Sequence, residues 1–306
     1  MKNQTISNVL ILSGLSDVPS LQLPLFLVFL LVYLMTLTGN LLIVLLICTD
    51  SHLQTPMYFF LGTLACLDMG YSSVTIPRML FDLYTQKWII SLQACLFQNF
   101  CFMFFAISEV SLLAVMSYDR YVAICRPLHY TQIMYWKTCV LLISVALFSG
   151  MIVSLIHTSL LLNLNFCVSK PLQSFFCDLP QLFQVSCSDP FINLLFSLLI
   201  GTLFGVGTLG VTFCPYVIIL NTIIKMQSKA MRSKAFSTCS SHLTVVFIFY
   251  FTVFFNYLDP SANDNFSEHR RISSLFYALL TPLLNPLIYS LRNQELKSSL
   301  KRVLHS

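Results

Sequence analysis

Seven long apolar runs dominate the sequence, at about 24–48, 57–80, 95–119, 139–161, 191–224, 236–258 and 272–291. A helix needs about 20 apolar residues to cross the hydrocarbon core of a bilayer, and every run reaches that length. The runs are continuous, unlike the alternating strands of about 10 residues in a membrane β-barrel. Only 9% of the 306 residues are charged, against roughly 25% in a soluble domain. Too little charge remains to cover a water-facing surface. The expected fold is an all-α membrane protein, one seven-transmembrane helix bundle over residues 1–306. The first run is too long for a signal-peptide core and reads as a retained signal anchor.

Basic residues set the orientation, because cytoplasmic loops are enriched in them. One face carries Arg120, Arg126, Lys137, Lys225, Lys229, Arg232, Lys234, Arg292, Lys297, Lys301 and Arg302, eleven of the 17. The other carries Lys2, Arg78, Lys87, Lys170, Arg270 and Arg271. The C-terminus is therefore expected inside and the N-terminus outside. The inner loop at 49–56 has no Lys or Arg and does not contribute to this bias. The sequon Asn3-Gln4-Thr5 agrees with an exterior N-terminus, and a second, at Asn265, falls on the same side. The net charge of +5 sits against the membrane and is no nucleic-acid footprint.

Of 11 cysteines, Cys95, Cys167, Cys177 and Cys187 lie at the outer face. Loops there mature in an oxidising compartment, so these four are disulfide candidates. After the last run, residues 293–304 place Leu296, Leu300 and Val303 or Leu304 at helical spacing among basic residues. A short amphipathic interfacial helix is expected there.

Polar residues inside the runs carry the functional information, since burying a charge in a bilayer costs at least about 2.5–3.5 kcal/mol. Two acids lie near mid-membrane, Asp68 and Glu109, with Asn40 and Asn285 at similar depth. They are expected to form one polar cluster able to hold a proton, water or a small cation; the alternative is interhelical glue. Along the third run Phe102, Ala106, Glu109, Leu113, Met116 and Arg120 share one helix face. That face joins an outer apolar region, a buried acid and an inner arginine, a layout suited to signal transmission. Asp119-Arg120-Tyr121 closes the run, and Pro282-Leu-Leu-Asn285-Pro286-Leu-Ile-Tyr289 marks the seventh.

Four segments together resemble the odorant-receptor family of rhodopsin-like G-protein-coupled receptors. They are PMYFFLGTLACLDMGYSSVTIPRML from Pro56, MSYDRYVAICRPLHY from Met116, KAFSTCSSHLTVV from Lys234 and TPLLNPLIYSLRN from Thr281. The resemblance implies a plasma-membrane receptor, not an enzyme, that answers small volatile odorants through a stimulatory olfactory G protein and cyclic AMP. Lipid surrounds it, and accessory proteins are expected to assist its export. By the same resemblance Asp119, Arg120 and Tyr121 form the inner switch. Tyr216 and Tyr289, with Asn285 and Pro286, serve the open state; Cys95 pairs with Cys177, and Cys167 with Cys187. Ligand-lining positions are Phe102, Met103, Ala106, Ile107, Phe204, Val253, Phe254, Tyr257 and Tyr277, the two tyrosines orienting a carbonyl or hydroxyl.

The outer parts of four spans, 96–108, 191–213, 243–258 and 272–281, contain no Asp, Glu, Lys or Arg. An apolar ligand without net charge is expected, because an unpaired buried charge is very costly. The sequence departs from the family pattern at Leu147 (usually Trp), Pro215 (usually Ser), Phe251 (usually Gly) and Asn165 (usually Pro in LPFC). Phe251 bears on the pocket floor and Pro215 on the fifth helix.

Gly205-Val-Gly207-Thr-Leu-Gly210 matches a dinucleotide fingerprint literally but follows no strand. Helix packing by small residues, including Gly201 and Gly205, is the expected role. His157 has no second His or Cys at ligand spacing, so no cofactor is expected, and the one metal considered is sodium at Asp68 and Glu109. The rival classes are a channel or transporter built on those two acids, and a non-olfactory small-molecule receptor of the same fold. Transporter-like paired halves are absent from the pattern.

Overall fold

The structure is a computed structural model that describes residues 8–15, 18–167, 171–257 and 267–304. Its long helices are α1 (Pro19–Thr49), α2 (Pro56–Thr85), α3 (Leu92–Cys125), α4 (Trp136–Leu162), α5 (Phe191–Lys225), α6 (Lys229–Tyr257) and α7 (Ser267–Arg292), followed by α8 (Gln294–Leu304). Among the described residues six helices are long and apolar enough to cross a membrane, and α7 adds a shorter apolar stretch, Ala278–Tyr289. The seven expected spans are all present and most extend further at their ends. Pro19 and Pro56 explain two of the starts, since proline at the first helical turn loses no hydrogen bond.

The outer surface of the bundle is apolar. Leu31, Leu141, Phe148, Leu198, Val217 and Ile224 are all well exposed, an arrangement suited to lipid and not to water. α3 runs through the centre, with Leu112 and Leu113 fully buried, and packs on α2, α4 and α5. Gly150 permits the α3–α4 crossing. A Cβ there would lie 2.3 Å from the Ser108 hydroxyl and 2.8 Å from the Phe104 carbonyl.

The all-α bundle carries one small β element at its outer end. An outer cap contains strand β1 (Val9–Ile11) paired antiparallel with β2 (Ile89–Ser91), Leu10 facing Ile90. Leu12 forms a further bridge to Leu172 of the long outer loop. Leu10, Leu12, Ile90 and Leu172 are buried while Val9 and Ile11 are exposed, the period-two alternation of a half-buried strand. Arg78 ties this cap to α2: its guanidinium pairs with buried Asp82 at 2.8 Å and donates to the Ile89 carbonyl at 2.6 Å. The disulfides Cys95–Cys177 and Cys167–Cys187 are both formed, as the resemblance implied. The sequons at Asn3 and Asn265 lie outside the described residues.

One correction concerns the glycines of α5, a helix that opens into a π-turn at Leu203–Gly207. Nothing lies within 4 Å of a Cβ built on Gly201, Gly205, Gly207 or Gly210. Gly201, Gly207 and Gly210 are exposed and Gly205 is half-buried, and none of the four packs against another helix among the described residues. Pro215 is accommodated within a helix continuous from Thr208 to Lys225. Leu147, where the family has Trp, packs half-buried on the main core.

At the inner face α8 is held by specific groups, with Leu296 buried beneath it. Asn293 caps it, its side-chain oxygen accepting from the Glu295 and Leu296 N–H groups and from the Tyr58 hydroxyl at 3.1 Å. Arg302 reaches back to Asp50, at the end of α1, at 2.6 Å. Arg302 leads in holding the Asp50 carboxyl below the usual carboxylate range, with Ser299 and His52 adding to it. A carboxyl pKa depressed on folding keeps the pair intact until pH falls below that range. We expect Asp50→Lys to lower surface expression modestly and Asp50→Lys with Arg302→Asp to restore it, read by antibody staining of intact cells. Failure of the double variant to recover would remove the pair as the cause. Arg302 is half-exposed, and ion pairs at a surface contribute little to stability, so the effect stays small.

Candidate functional site

Three layers of polar and aromatic residues line the bundle interior from its inner to its outer end. The inner layer surrounds a cavity of about 640 Å³ lined by Asp119, Arg120, His242, Tyr289 and Asn293, among others. Arg120 pairs with Asp119, its Nε donating to Oδ2 at 3.0 Å. The other carboxylate oxygen accepts from the Tyr130 hydroxyl at 2.8 Å. Tyr130 sits on a short helical turn, Tyr130–Ile133, in the loop after α3. Burial, reinforced by the negative Asp119, raises its phenol above the usual range, so it remains a donor. Tyr121 packs half-buried beside Tyr216 and Ile219.

Tyr216 does not face Tyr289 through a hydrogen bond. Its hydroxyl meets His242 Nδ1 at 2.6 Å, while the buried Tyr289 hydroxyl has no hydrogen-bond partner among the described residues. His242 and Tyr130 were not singled out from the sequence, although both stand inside the quoted segments. Nothing in spacing alone separates them from their neighbours.

The middle layer is narrower than expected. Asn285 donates its amide to Asp68 at 3.1 and 3.0 Å and to Glu109 at 3.5 Å. Two carboxylates share one amide, so a proton or a small cation is needed to balance them. Their oxygens suit a hard cation such as sodium, but among the described residues no third acid, His or Cys joins them. Asn40 stands apart from the acids. It donates to the Pro282 carbonyl at 3.1 Å and to Thr36 of its own helix at 3.0 Å. The reason is Pro286: it has no N–H for the carbonyl four residues earlier, and Asn40 takes that place. The Asn40 side chain thereby fastens α1 to the proline-kinked part of α7.

In the outer layer Phe102 and Ala106 are buried in a cluster with Tyr71, Phe175 and Phe176. The Phe102 ring lies 5.0 Å from both Tyr71 and Phe176. Phe175 and Phe176, from the long outer loop, thus reach the bundle interior, and the sequence reading missed them. The only hint was an aromatic pair next to the bridged Cys177. Gln98 and Asn99 of α3 reinforce that placement, bonding the Cys177 N–H at 3.0 Å and its carbonyl at 3.3 Å.

Val253 touches the same cluster, and Met103 and Ile107 are half-buried on α3. Phe204 belongs to the π-turn and packs against the main core. The side chains of Phe254, Tyr257 and Tyr277 lie outside the described residues. Phe251 is exposed and stacks on Phe247, so it does not shape the pocket floor. Tyr250, one residue earlier, packs against the main core, with its hydroxyl 2.6 Å from Thr208 beside the π-turn.

Comparison with known proteins identifies the family. The family model described as olfactory receptor matches residues 29–306. Mouse olfactory receptor 5AR1 is 44% identical, covering 99% of this chain and 97% of its own length. Human olfactory receptor 2A12 is 45% identical with the same coverage. The crystal structure of squid rhodopsin superposes with a TM-score of 0.75 at 17% identity, over 94% of this chain and 81% of its own, a likeness of fold alone. The chain belongs to the olfactory receptor family of G-protein-coupled receptors, multi-pass proteins of the plasma membrane that signal and do not catalyse.

Proposed function

We propose that this receptor binds small, largely apolar, uncharged odorants between the outer halves of its helices and activates a stimulatory olfactory G protein, raising cyclic AMP. The observation that carries the reading is the distribution of charge along α3. Its outer part has none, and its inner end holds Asp119 and Arg120 against the inner cavity of about 640 Å³. An odorant gains affinity from burial of its apolar surface, as small-molecule sites generally provide. Phe102, Met103, Ala106, Ile107, Val253 and the loop residues Phe175 and Phe176 supply apolar walls. Phe204, Phe254, Tyr257 and Tyr277 complete the proposed lining.

The geometry supports a resting state in which Asp119 and Tyr130 restrain Arg120, and Tyr216 is occupied by His242. Activation frees Arg120 for the G protein and brings Tyr216 and Tyr289 to the open arrangement, with Asn285 and Pro286 allowing α7 to shift. Asp68 and Glu109 hold a sodium ion or a proton in the resting state. The test is a cyclic AMP assay in cells supplied with the olfactory G protein and challenged with pooled volatiles, with surface receptor scored in parallel. A pool-dependent rise is expected. No response at normal surface levels would overturn the odorant reading.

A further inference from the structure

Within the proposed odorant site, one seam of buried polar atoms belongs to none of the lining positions named above. On α4, Ser154, His157 and Thr158 share one face at spacings of three and four residues. Ser154 is fully buried and His157 nearly so. The hydroxyls of Ser154 and Thr158 are sealed from solvent and have no hydrogen-bond partner among the described residues. The same holds for Ser108 of α3, opposite Gly150, and for the amide nitrogen of Asn193 on α5.

Other serines on α4 behave differently. Ser144, Ser149 and Ser159 each donate to a carbonyl three or four residues earlier in their own helix. Ser154 and Thr158 forgo that bond and lie on the face turned into the bundle. The His157 ring meets the Phe196 ring edge-on at 5.0 Å, which fixes the contact between α4 and α5. Asn193 shares the α5 face of Phe196, one turn further out. By position along their helices Ser108 lies deepest, opposite Gly150, Ser154 and Thr158 follow outward on α4, and Asn193 stands near the outer end of α5.

Buried hydroxyls and amides are nearly always hydrogen-bonded in folded proteins, and each exception calls for a cause. All four groups here can donate. No Asp, Glu, Lys or Arg occurs in the adjacent 96–108 or 191–213 stretches, so a charged ligand finds no counterion there. What fits is a neutral molecule with an acceptor oxygen and an apolar remainder.

We infer that Ser154, Thr158 and Asn193 form the polar subsite of this receptor, and that it selects carbonyl-bearing volatiles (ketones, aldehydes or esters) over hydrocarbons of the same shape. The inference rests on the odorant reading given above. The carbonyl oxygen, with two lone pairs, accepts from the Asn193 amide and from one of the two hydroxyls, and the alkyl portion lies against Phe196 and the apolar wall of α3.

The test uses the purified full-length receptor in nanodiscs, with thermal stabilisation by a ketone series and by the matched alkenes, each carbonyl replaced by a methylidene group. This readout requires no G protein. Wild type should bind ketones about tenfold more tightly than their matched hydrocarbons, as one or two hydrogen bonds in a dry site allow. Asn193→Leu, and separately Ser154→Ala with its smaller packing change, should erase most of that ratio while hydrocarbon stabilisation persists. A ratio unchanged in both variants overturns the subsite and leaves the odorant reading standing, with bound water then the tenant of the seam. Wild type stabilised by hydrocarbons and ketones alike has the same meaning. Stabilisation by no volatile at all counts against the odorant reading itself, and the subsite falls with it.

Discussion

Cys95→Ala is expected to remove most receptor from the cell surface, and by a wider margin than Cys187→Ala. The Cys95–Cys177 bridge closes a separation of 82 residues, and limiting the unfolded chain to that degree is worth about 4–5 kcal/mol on the chain-entropy estimate. The Cys167–Cys187 bridge closes only 20, which the same estimate puts at about 3 kcal/mol. Net stabilities of folded domains are about 5–15 kcal/mol, so the first loss consumes a large share of any such margin. The bridge also has local consequences. It anchors Cys177 between Gln98 and Asn99, and through it Phe175 and Phe176 reach Phe102. Without it those aromatic rings lose their tether to the outer part of α3. Surface staining of an N-terminally tagged receptor, set against total protein on immunoblots, gives the ordering directly. Surface levels of Cys95→Ala equal to wild type, or lower levels for Cys187→Ala, would refute the account.

The helices were legible in the sequence because a bilayer imposes one strong rule, a run of about 20 apolar residues, and seven runs obeyed it. The Asp119–Arg120 pair was legible as two charged residues at the end of an apolar span, whereas its reading as a switch came from the family resemblance and not from the charges. What escaped has a common physical origin. In Asn8-Val9-Leu10-Ile11-Leu12 four successive residues are apolar, so the period of two that makes β1 a strand leaves no trace in composition. Gly205, Gly207 and Gly210 read as packing residues by type, yet at the π-turn none of them packs against another helix among the described residues; a glycine pattern does not say which way its face points. Phe251 looked disruptive for the pocket because its residue type is large, and rotation of α6 places it outside. Asn40 shared a depth with Asp68 and Glu109, but the carbonyl left free by Pro286 claimed it. Partners such as His242 for Tyr216 and Tyr130 for Asp119 are set by tertiary approach, which a single sequence does not encode in any spacing.

Arg120→Ala is expected to abolish odorant-driven cyclic AMP at normal surface levels, whereas Asp119→Asn should raise the basal signal. The two substitutions act on opposite sides of one equilibrium. In the resting arrangement Arg120 is nearly buried, and its charge is met by the adjacent Asp119 carboxylate. Tyr130 holds the second oxygen of that carboxylate at 2.8 Å, which fixes the acid in place. A hydrogen bond to a charged group contributes about 1.5–3 kcal/mol, and 1.4 kcal/mol is about tenfold in a two-state ratio. Neutralising Asp119 should therefore shift the resting balance about tenfold or more towards the released state. Tyr130→Phe removes one neutral donor and should produce a smaller rise in the same direction. On the proposed mechanism Arg120→Ala removes the group that the released state presents to the G protein, so no change in the balance should restore its signal. Combining Asp119→Asn with Arg120→Ala separates the two roles: the double variant should be silent, like Arg120→Ala alone. Basal cyclic AMP normalised to surface receptor decides the matter. A double variant with raised basal activity would show that the output does not pass through Arg120, and the restraint seen between Asp119, Arg120 and Tyr130 would then be structural.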